Sequence, residues 1–381
     1  MRRGIETRRG ASVAILAAIV LIGAGCQRST TKPAPSTPAG PNIQQIEATL
    51  SSPSAASAKA MSDPVAYAWL LFLYTNWPAS GKVRSQPDPN RKFGDPGPVI
   101  WQTWKTSQDL YVTKGQTPLP WNQGPVYQRP ALQQQEIDGK VLKDDNGNPV
   151  MYEVRLNEDT FNYILGRGLY TQAGQLKLVK GGQPVVFPEP AMEIKASWRI
   201  LDRVKDKDRI THYLTAKAVY NGKQVLLGLT GLHITSKAVP EWFWCTFEQT
   251  ENSQTTPIKP LLHMAAAVQK SNQEMQKDFA GTFWAYYQLD GVQSDFVQNP
   301  DAAACLQNSK ASCLANTQIE TYFQGSSSCI TCHALASIGK KGSRFNFWNY
   351  AGGNQQGYMG KPPSLGSDVP LDFVWSMREA H

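Results

Sequence analysis

The residues best suited to carry chemistry are Cys329, Cys332 and His333, which form the pattern Cys-x-x-Cys-His. Two thiols three positions apart on a helical turn match the spacing of the two haem vinyl groups, and the adjacent imidazole then lies close to the iron as an axial ligand. A thioredoxin-like pair needs a preceding strand in a βαβ unit, and a zinc site needs a second pair of ligands. The surrounding sequence offers neither, so it predicts one covalently attached haem c.

The segments around the motif have a recognisable order. Residues 314–323 are compatible with a helix that leads into the motif, a Met359-containing loop with a Pro-Pro pair follows, and residues 368–381 predict a terminal helix. This order resembles class I c-type cytochromes, although only 48 residues follow His333, which is short for that family. The resemblance implies that Met359 is the sixth iron ligand. The alternatives at that position are water, His233, His263 or an open site.

Upstream of the motif the chain carries three distinctive strings, Lys195–Trp198, Gly228–Ile234 and Trp242–Glu248. Together with residues 287–289 and 314–317, they resemble a poorly characterised family of single-haem bacterial secreted cytochrome c-like lipoproteins. The resemblance implies a haem-binding electron carrier, but it indicates no substrate.

The first 25 residues have the composition of a secretory signal peptide. Four Arg precede an unbroken apolar run over residues 13–22, about half of the ~20 residues that a membrane-spanning helix needs. Gly-Ala-Gly then precedes Cys26, which resembles the lipobox in which this cysteine is acylated, although Gly23 stands where that pattern favours Leu. The resemblance implies a lipid-anchored periplasmic protein, and Gln27 implies the outer membrane rather than the inner. Ordinary cleavage that leaves Cys26 as a free thiol is the alternative.

The rest of the chain predicts an α+β fold with a mostly antiparallel, β-rich domain over residues 61–260 and a small helical, cytochrome c-like haem domain over residues 261–381. Residues 26–60 are rich in Ser, Thr, Ala, Pro and Gln and predict a disordered tether. A helix is predicted to begin at Asp63-Pro64 and to stop at Pro78. Strands are predicted over residues 191–201, 212–220, 224–236 and 241–250, with a further helix over 260–278.

The last of these strands has an informative alternation of side chains. It predicts Trp242, Trp244 and Thr246 on one face, with Phe243, Cys245 and Phe247 on the other. The two tryptophans are interpreted as one wall of the hydrophobic core, with a stacking platform for a sugar or quinone as the alternative.

Six cysteines are present, and the lipid and the haem account for three of them. Cys305 and Cys313 are eight positions apart in a polar loop, which favours a disulfide between them in an oxidising compartment. A disulfide from Cys245 to either of them is the alternative that the sequence leaves open.

The charge of the chain excludes one class of partner and suggests another. The formal net charge is +8, of which the first 25 residues contribute +3, and the remainder is too dilute for nucleic acid. Four basic residues flank the haem segment, namely Lys340, Lys341, Arg344 and Lys361. Positive charge around an exposed haem edge would steer acidic redox partner proteins towards it. A solvated loop with ordinary lysines is the alternative.

Three functions are compatible with these features. The first is an exported electron carrier, for which the haem motif alone is sufficient. The second is a haem enzyme or sensor with an open iron site and a small-molecule pocket in the aromatic-rich upstream domain. The third is a sugar- or wall-binding module with a secondary haem. A catalyst additionally needs acid–base groups near the iron, which the sequence does not place, so the sequence favours the carrier.

Overall fold

The computed structural model of the chain describes residues 41–134, 136–137, 140–252, 264–296, 314, 316–319, 329–344 and 364–381. The predicted signal peptide and the first part of the predicted tether lie outside these residues. Within the described ranges, no helix is both long enough and apolar enough to cross a membrane.

The described residues form eight α-helices. They are α1 (Ile43–Leu50), α2 (Pro53–Ser62), α3 (Pro64–Thr75), α4 (Ser107–Leu110), α5 (Glu158–Gly166), α6 (Gln172–Lys180), α7 (Ala266–Asp278) and α8 (Cys329–His333). Short 3-10 turns add to these at Ile100–Thr103, Thr113–Gly115, Ile210–His212, Phe283–Tyr286 and Trp375–Glu379.

Helices α1 and α2 occupy the second half of the predicted tether. Ile43, Ile46 and Leu50 recur at helical spacing and are buried, and the side chain of Asn42 caps the first turn by accepting from Gln45 N at 3.1 Å. The tether prediction is therefore wrong over residues 43–60. A composition averaged over the whole segment conceals these few apolar residues, which are enough to bind the helix to the core.

Helix α3 begins as the sequence predicts. The carboxylate of Asp63 accepts from Ala66 N at 3.2 Å, Pro64 occupies the first turn, and the helix ends at Thr75. Its aromatic side chains pack against the sheet, with the ring centroids of Phe72 and Phe247 4.4 Å apart. Both rings are fully buried in the hydrophobic core.

An eight-stranded antiparallel sheet forms the body of the protein. Its strands are β1 (Lys105–Thr106), β2 (Gln133–Gln134), β5 (Met151–Leu156), β6 (Met192–Leu201), β7 (Thr215–Tyr220), β8 (Lys223–Ser236), β9 (Phe243–Gln249) and β10 (Tyr287–Gln293). The main order is β1-β5-β6-β8-β9-β10, with β2 on β5 and β7 on β8. Two small ribbons pair β3 (Glu136–Ile137) with β4 (Lys140–Val141) and β11 (Ser337–Ile338) with β12 (Val369–Pro370). The α+β class and the four predicted strands are confirmed.

The two faces of the sheet differ in character. Phe243, Cys245 and Phe247 face α3 and the apolar core, as the alternation predicts. We call the opposite side the polar face and define it by five residues brought together by the strand register: Glu193, His233, Trp244, Thr246 and Glu248. Trp242 departs from the prediction, because it precedes β9 in a left-handed conformation with φ 60°.

The predicted boundary near residue 260 is not observed, since the described residues on both sides of it belong to one compact unit. Strand β10 lies beyond that boundary, yet it completes the sheet by pairing with β9. Asn272 on α7 fixes this strand by donating to the carbonyl of Leu289 at 2.9 Å and accepting from its amide at 2.8 Å. The long-range pairing of two strands across the predicted boundary leaves no trace in local composition.

The terminal helix predicted over residues 368–381 is also wrong. The segment instead forms β12 and a 3-10 turn at Trp375–Glu379. Pro370 takes part in β12, and after Leu371 two residues have positive φ, 47° at Asp372 and 68° at Phe373. Backbone in this conformation cannot continue a right-handed helix.

Candidate haem-binding site

The Cys-x-x-Cys-His motif forms helix α8, which the sheet and the C-terminal segment hold from two sides. The amide of Ile330 in its first turn donates to Gln293 Oε1 on β10 at 3.2 Å. After the helix, β11 pairs with β12, and the amide of Leu371 donates to the carbonyl of Ala336 at 2.8 Å. The position of the motif is therefore determined by tertiary contacts as well as by its own helical turn.

The two thiols of the motif lie one turn apart on this helix. Cys329 is half-buried and its Sγ is 3.8 Å from the carbonyl of Leu314, while Cys332 is 9% exposed. Residues at positions i and i+3 project from the same side of a helix. The indole of Trp375 donates to the carbonyl of Cys332 at 2.8 Å and ties the C-terminal segment to the motif.

The ring of His333 has a defined tautomer. Its Nδ1 lies 2.7 Å from the carbonyl oxygen of Phe373. A carbonyl oxygen can only accept, so Nδ1 carries the hydrogen and Nε2 of the neutral ring carries the lone pair. The ring of Trp244 packs against the imidazole with centroids 4.4 Å apart and fixes its plane.

These residues fit a covalently bound haem. Histidine that binds a metal through Nε2 almost always donates its other ring hydrogen to a carbonyl or carboxylate, which orients the ring and increases its basicity. The hydrogen bond from His333 to Phe373 has this form. Two thiols on the same helical turn complete the set of groups that a haem c requires.

No family model, curated protein or solved structure matches this chain. Within the described residues, no group of three or more His, Cys, Asp or Glu side chains is arranged to hold a metal ion. The motif and its surroundings are therefore the features that indicate a haem site.

Several predicted site residues lie outside the described residues. They are Cys26, His263, Cys305, Cys313, Met359 and Lys361. Lipidation, the disulfide, and the sixth ligand implied by the cytochrome resemblance consequently stay predictions. The other alternative ligand, His233, is on β8, where its backbone pairs with Thr246 of β9.

The third described thiol, Cys245, is unlike the two of the motif. It is 2% exposed and donates to the carbonyl of Ile234 at 3.4 Å. Burial raises the pKa of this thiol well above its usual value, and the neighbouring Cys329 thiol raises it further. A buried, protonated thiol of this kind is unreactive, so Cys245 serves as a core residue.

Sequence reasoning missed the groups that surround His333. Phe373 contributes a backbone carbonyl, Trp375 anchors the motif, and Trp244, which is part of the buried core as predicted, also contacts the imidazole. A backbone acceptor 40 residues away has no signature in side-chain type. Of the three, only Trp244 carries a sequence signal, namely its place on an aromatic strand on the face opposite Phe243 and Phe247.

The helix predicted over residues 314–323 is not formed in its described part. Residues 317–319 form a bend instead. Thr317 Oγ1 donates to Glu248 Oε2 at 2.7 Å, and Asn316 Nδ2 donates to Thr246 Oγ1 at 2.9 Å. These buried side-chain bonds to the polar face replace the local helical bonds that the sequence pattern favours.

The basic residues near the motif divide into two kinds. Lys340 and Lys341 are exposed, while the half-buried Arg344 donates to the side chain of Gln175 on α6. Arg344 therefore has a structural role, and the two lysines are the described cations that a partner could reach.

Glu193 on the polar face should make stability depend on pH. Burial raises its pKa from 4.5 to about 7, while the hydrogen bond from Ser376 Oγ, 2.7 Å long, opposes this and Glu379 adds to it. The folded protein thus binds a proton that the unfolded chain releases, so this stabilisation is complete below pH 4.5 and is lost as pH rises to about 7. This pH-dependent part of the free energy of unfolding amounts to roughly 3 kcal/mol, and we expect Glu193→Gln to remove it. Urea denaturation at a series of pH values measures the change.

A matched variant distinguishes titration of Glu193 from a general effect on packing. Ser376→Ala removes a bond that favours the carboxylate, so the pH-dependent loss of stability should persist and move to higher pH. An unchanged profile in Glu193→Gln would assign the wild-type pH dependence to another group.

Proposed function

We propose that the protein is an exported single-haem c-type cytochrome that transfers electrons in the periplasm or at the cell surface. The haem would be attached through Cys329 and Cys332, with His333 as an axial ligand. The observation that carries this proposal is the 2.7 Å contact between His333 Nδ1 and the carbonyl of Phe373, because it leaves Nε2 as the lone-pair nitrogen on a Cys-x-x-Cys-His helix.

The roles of the chain's own residues follow from this arrangement. The haem iron supplies one-electron oxidation and reduction when it is bound. Helix α8 holds the two thiols, Phe373 sets the tautomer of His333, and Trp244 fixes the plane of its ring. Each of these contacts favours a single ligand geometry in both oxidation states, which suits a carrier because little has to rearrange when an electron moves.

The site of action and the partners are also part of the proposal. A signal peptide over residues 1–25 and a lipid on Cys26 would place the chain at the periplasmic side of a membrane, with the outer membrane favoured. Exposed Lys340 and Lys341 follow the haem motif closely in sequence. We propose that they attract acidic redox proteins, an effect that added salt weakens.

The test is the absorption spectrum of the dithionite-reduced protein before and after carbon monoxide, for wild type and Met359→Ala. A six-coordinate carrier with Met359 as sixth ligand should show no change in wild type and a clear shift in the variant. A matched control is Met275→Ala, which removes a methionine of α7 and should leave the spectrum unchanged. Absence of any haem spectrum in wild type would contradict the proposal.

A haem enzyme or sensor is the second candidate, and the polar face favours it. The face that carries Trp244, which contacts His333, also carries His233 and Glu248, both buried. Titratable groups beside a haem are what acid–base chemistry at an open iron site would need. Rapid carbon monoxide binding by wild type would favour this function over the carrier.

A further inference from the structure

The backbone that faces His333 is strained. Asp372 and Phe373 both have left-handed φ, 47° and 68°, although neither is glycine. This conformation is unfavourable for residues with side chains and especially for a bulky aromatic one. Such backbone persists only where surrounding contacts hold it in place, and it occurs most often at functional sites.

A buried ion pair supplies those contacts. Lys237 Nζ lies 2.7 Å from Asp372 Oδ1, and the two side chains are 8% and 9% exposed. The other carboxylate oxygen of Asp372 accepts from the amide of Phe187 at 2.8 Å. Lys237 also donates to the carbonyl of Pro240 at 2.6 Å, so the pair is attached to the chain between β8 and β9.

The Lys237–Asp372 ion pair lies next to the backbone carbonyl that orients the His333 ring. Phe373 directly follows Asp372, and its carbonyl accepts the Nδ1 hydrogen of His333. We propose that Lys237 and Asp372 are positioning residues that hold the Phe373 carbonyl against His333 and so fix the donor strength of the axial imidazole. This inference rests on the proposed function for its electronic consequence, but not for the tautomer of His333.

The direction of the effect follows from the hydrogen bond. A carbonyl that accepts from Nδ1 increases the electron density on the ring and makes it a stronger donor to ferric iron. Loss of that bond weakens the preference for the ferric state, so the midpoint potential rises. Substitution of a residue that hydrogen-bonds to a metal ligand typically changes metal affinity or activity by 10–100-fold. A tenfold change in a one-electron equilibrium corresponds to about 59 mV.

The experiment compares the midpoint potentials of full-length wild type, Asp372→Ala, Lys237→Met and Asp206→Ala. Asp206 is the matched control, because its buried carboxylate also pairs with cations, Arg199 and Arg209, and it contacts neither α8 nor residues 364–381 among the described residues. We expect Asp372→Ala and Lys237→Met each to raise the midpoint potential by an amount that corresponds to at least a tenfold change in the one-electron equilibrium, about 59 mV. Asp206→Ala should leave the midpoint potential unchanged. Lys237→Met keeps the inference testable where Asp372→Ala fails to fold.

The outcomes separate this inference from the proposed function. Covalent haem with the same potential in all four proteins would overturn the positioning role and leave the cytochrome standing. If wild type carries no haem, the cytochrome fails, and ¹⁵N NMR of histidine-labelled chain then decides the inference. In that case wild-type His333 should be protonated at Nδ1, and Asp372→Ala should shift it towards the Nε2 tautomer. An unchanged tautomer would overturn the inference.

Discussion

We expect the double variant Cys329→Ser/Cys332→Ser to lose all covalently attached haem. Each thiol would add across one vinyl group of the haem, with a carbon–sulfur bond formed and the thiol hydrogen moved to the neighbouring carbon, and a serine hydroxyl does not undergo this addition. The two side chains lie on one turn of α8, so both could be attached to the same porphyrin. The measurement is the mass of the denatured chain together with the haem that remains after acid–acetone extraction.

The third described thiol provides the control for this prediction. Cys245→Ser removes a thiol that is 2% exposed and faces the apolar core. This variant should therefore carry as much haem as the wild type. Each single variant of the motif should keep one thioether bond and a weaker, still covalent, attachment. Full haem content in the double variant, or its loss in Cys245→Ser, would show that the motif does not attach the cofactor.

The parts of the fold that sequence predicts best are those specified by local interactions. Helix α3 follows from the Asp63 cap, the first-turn Pro64 and the apolar run behind them, and strands such as β8 follow from their apolar runs and turn residues. The motif on α8 is of the same kind, because a spacing of three residues is a local property. Its helical turn was accordingly predictable without knowledge of the rest of the chain.

The parts that sequence failed to predict depend on contacts between distant residues. Asn316 leaves the helical conformation because its side chain bonds across 70 residues to Thr246. The C-terminal segment is not a helix because its backbone turns at Phe373 to reach His333, 40 residues earlier. Neither partner is marked by composition or periodicity, so a local pattern gives the wrong element at both places.

We expect Glu153→Ala to lower the free energy of unfolding by about 3–5 kcal/mol, because it leaves the buried guanidinium of Arg155 without its counter-charge. The two side chains are 0% and 1% exposed, and Arg155 Nε lies 2.8 Å from Glu153 Oε2. The carboxylate also accepts from the Trp198 indole at 3.0 Å and from the amide of Ala131 at 3.2 Å, so its loss deprives three donors of this acceptor. Urea denaturation followed by tryptophan fluorescence measures the change.

Two further variants separate the loss of charge from the loss of packing. Glu153→Gln keeps an oxygen that accepts from Trp198, so it should cost less than the alanine variant. The double variant Glu153→Leu/Arg155→Met removes both charges and restores apolar volume, so it should recover most of the stability that either single charge deletion loses. The exposed pair Lys270–Glu274, with side chains 78% and 57% exposed, is the matched control, and Glu274→Ala should change the free energy of unfolding by under ~1 kcal/mol. If the double variant were as unstable as Glu153→Ala, the cost would lie in the hydrogen bonds from Arg155 to the carbonyls of Gln102 and Trp104 rather than in the unpaired charge.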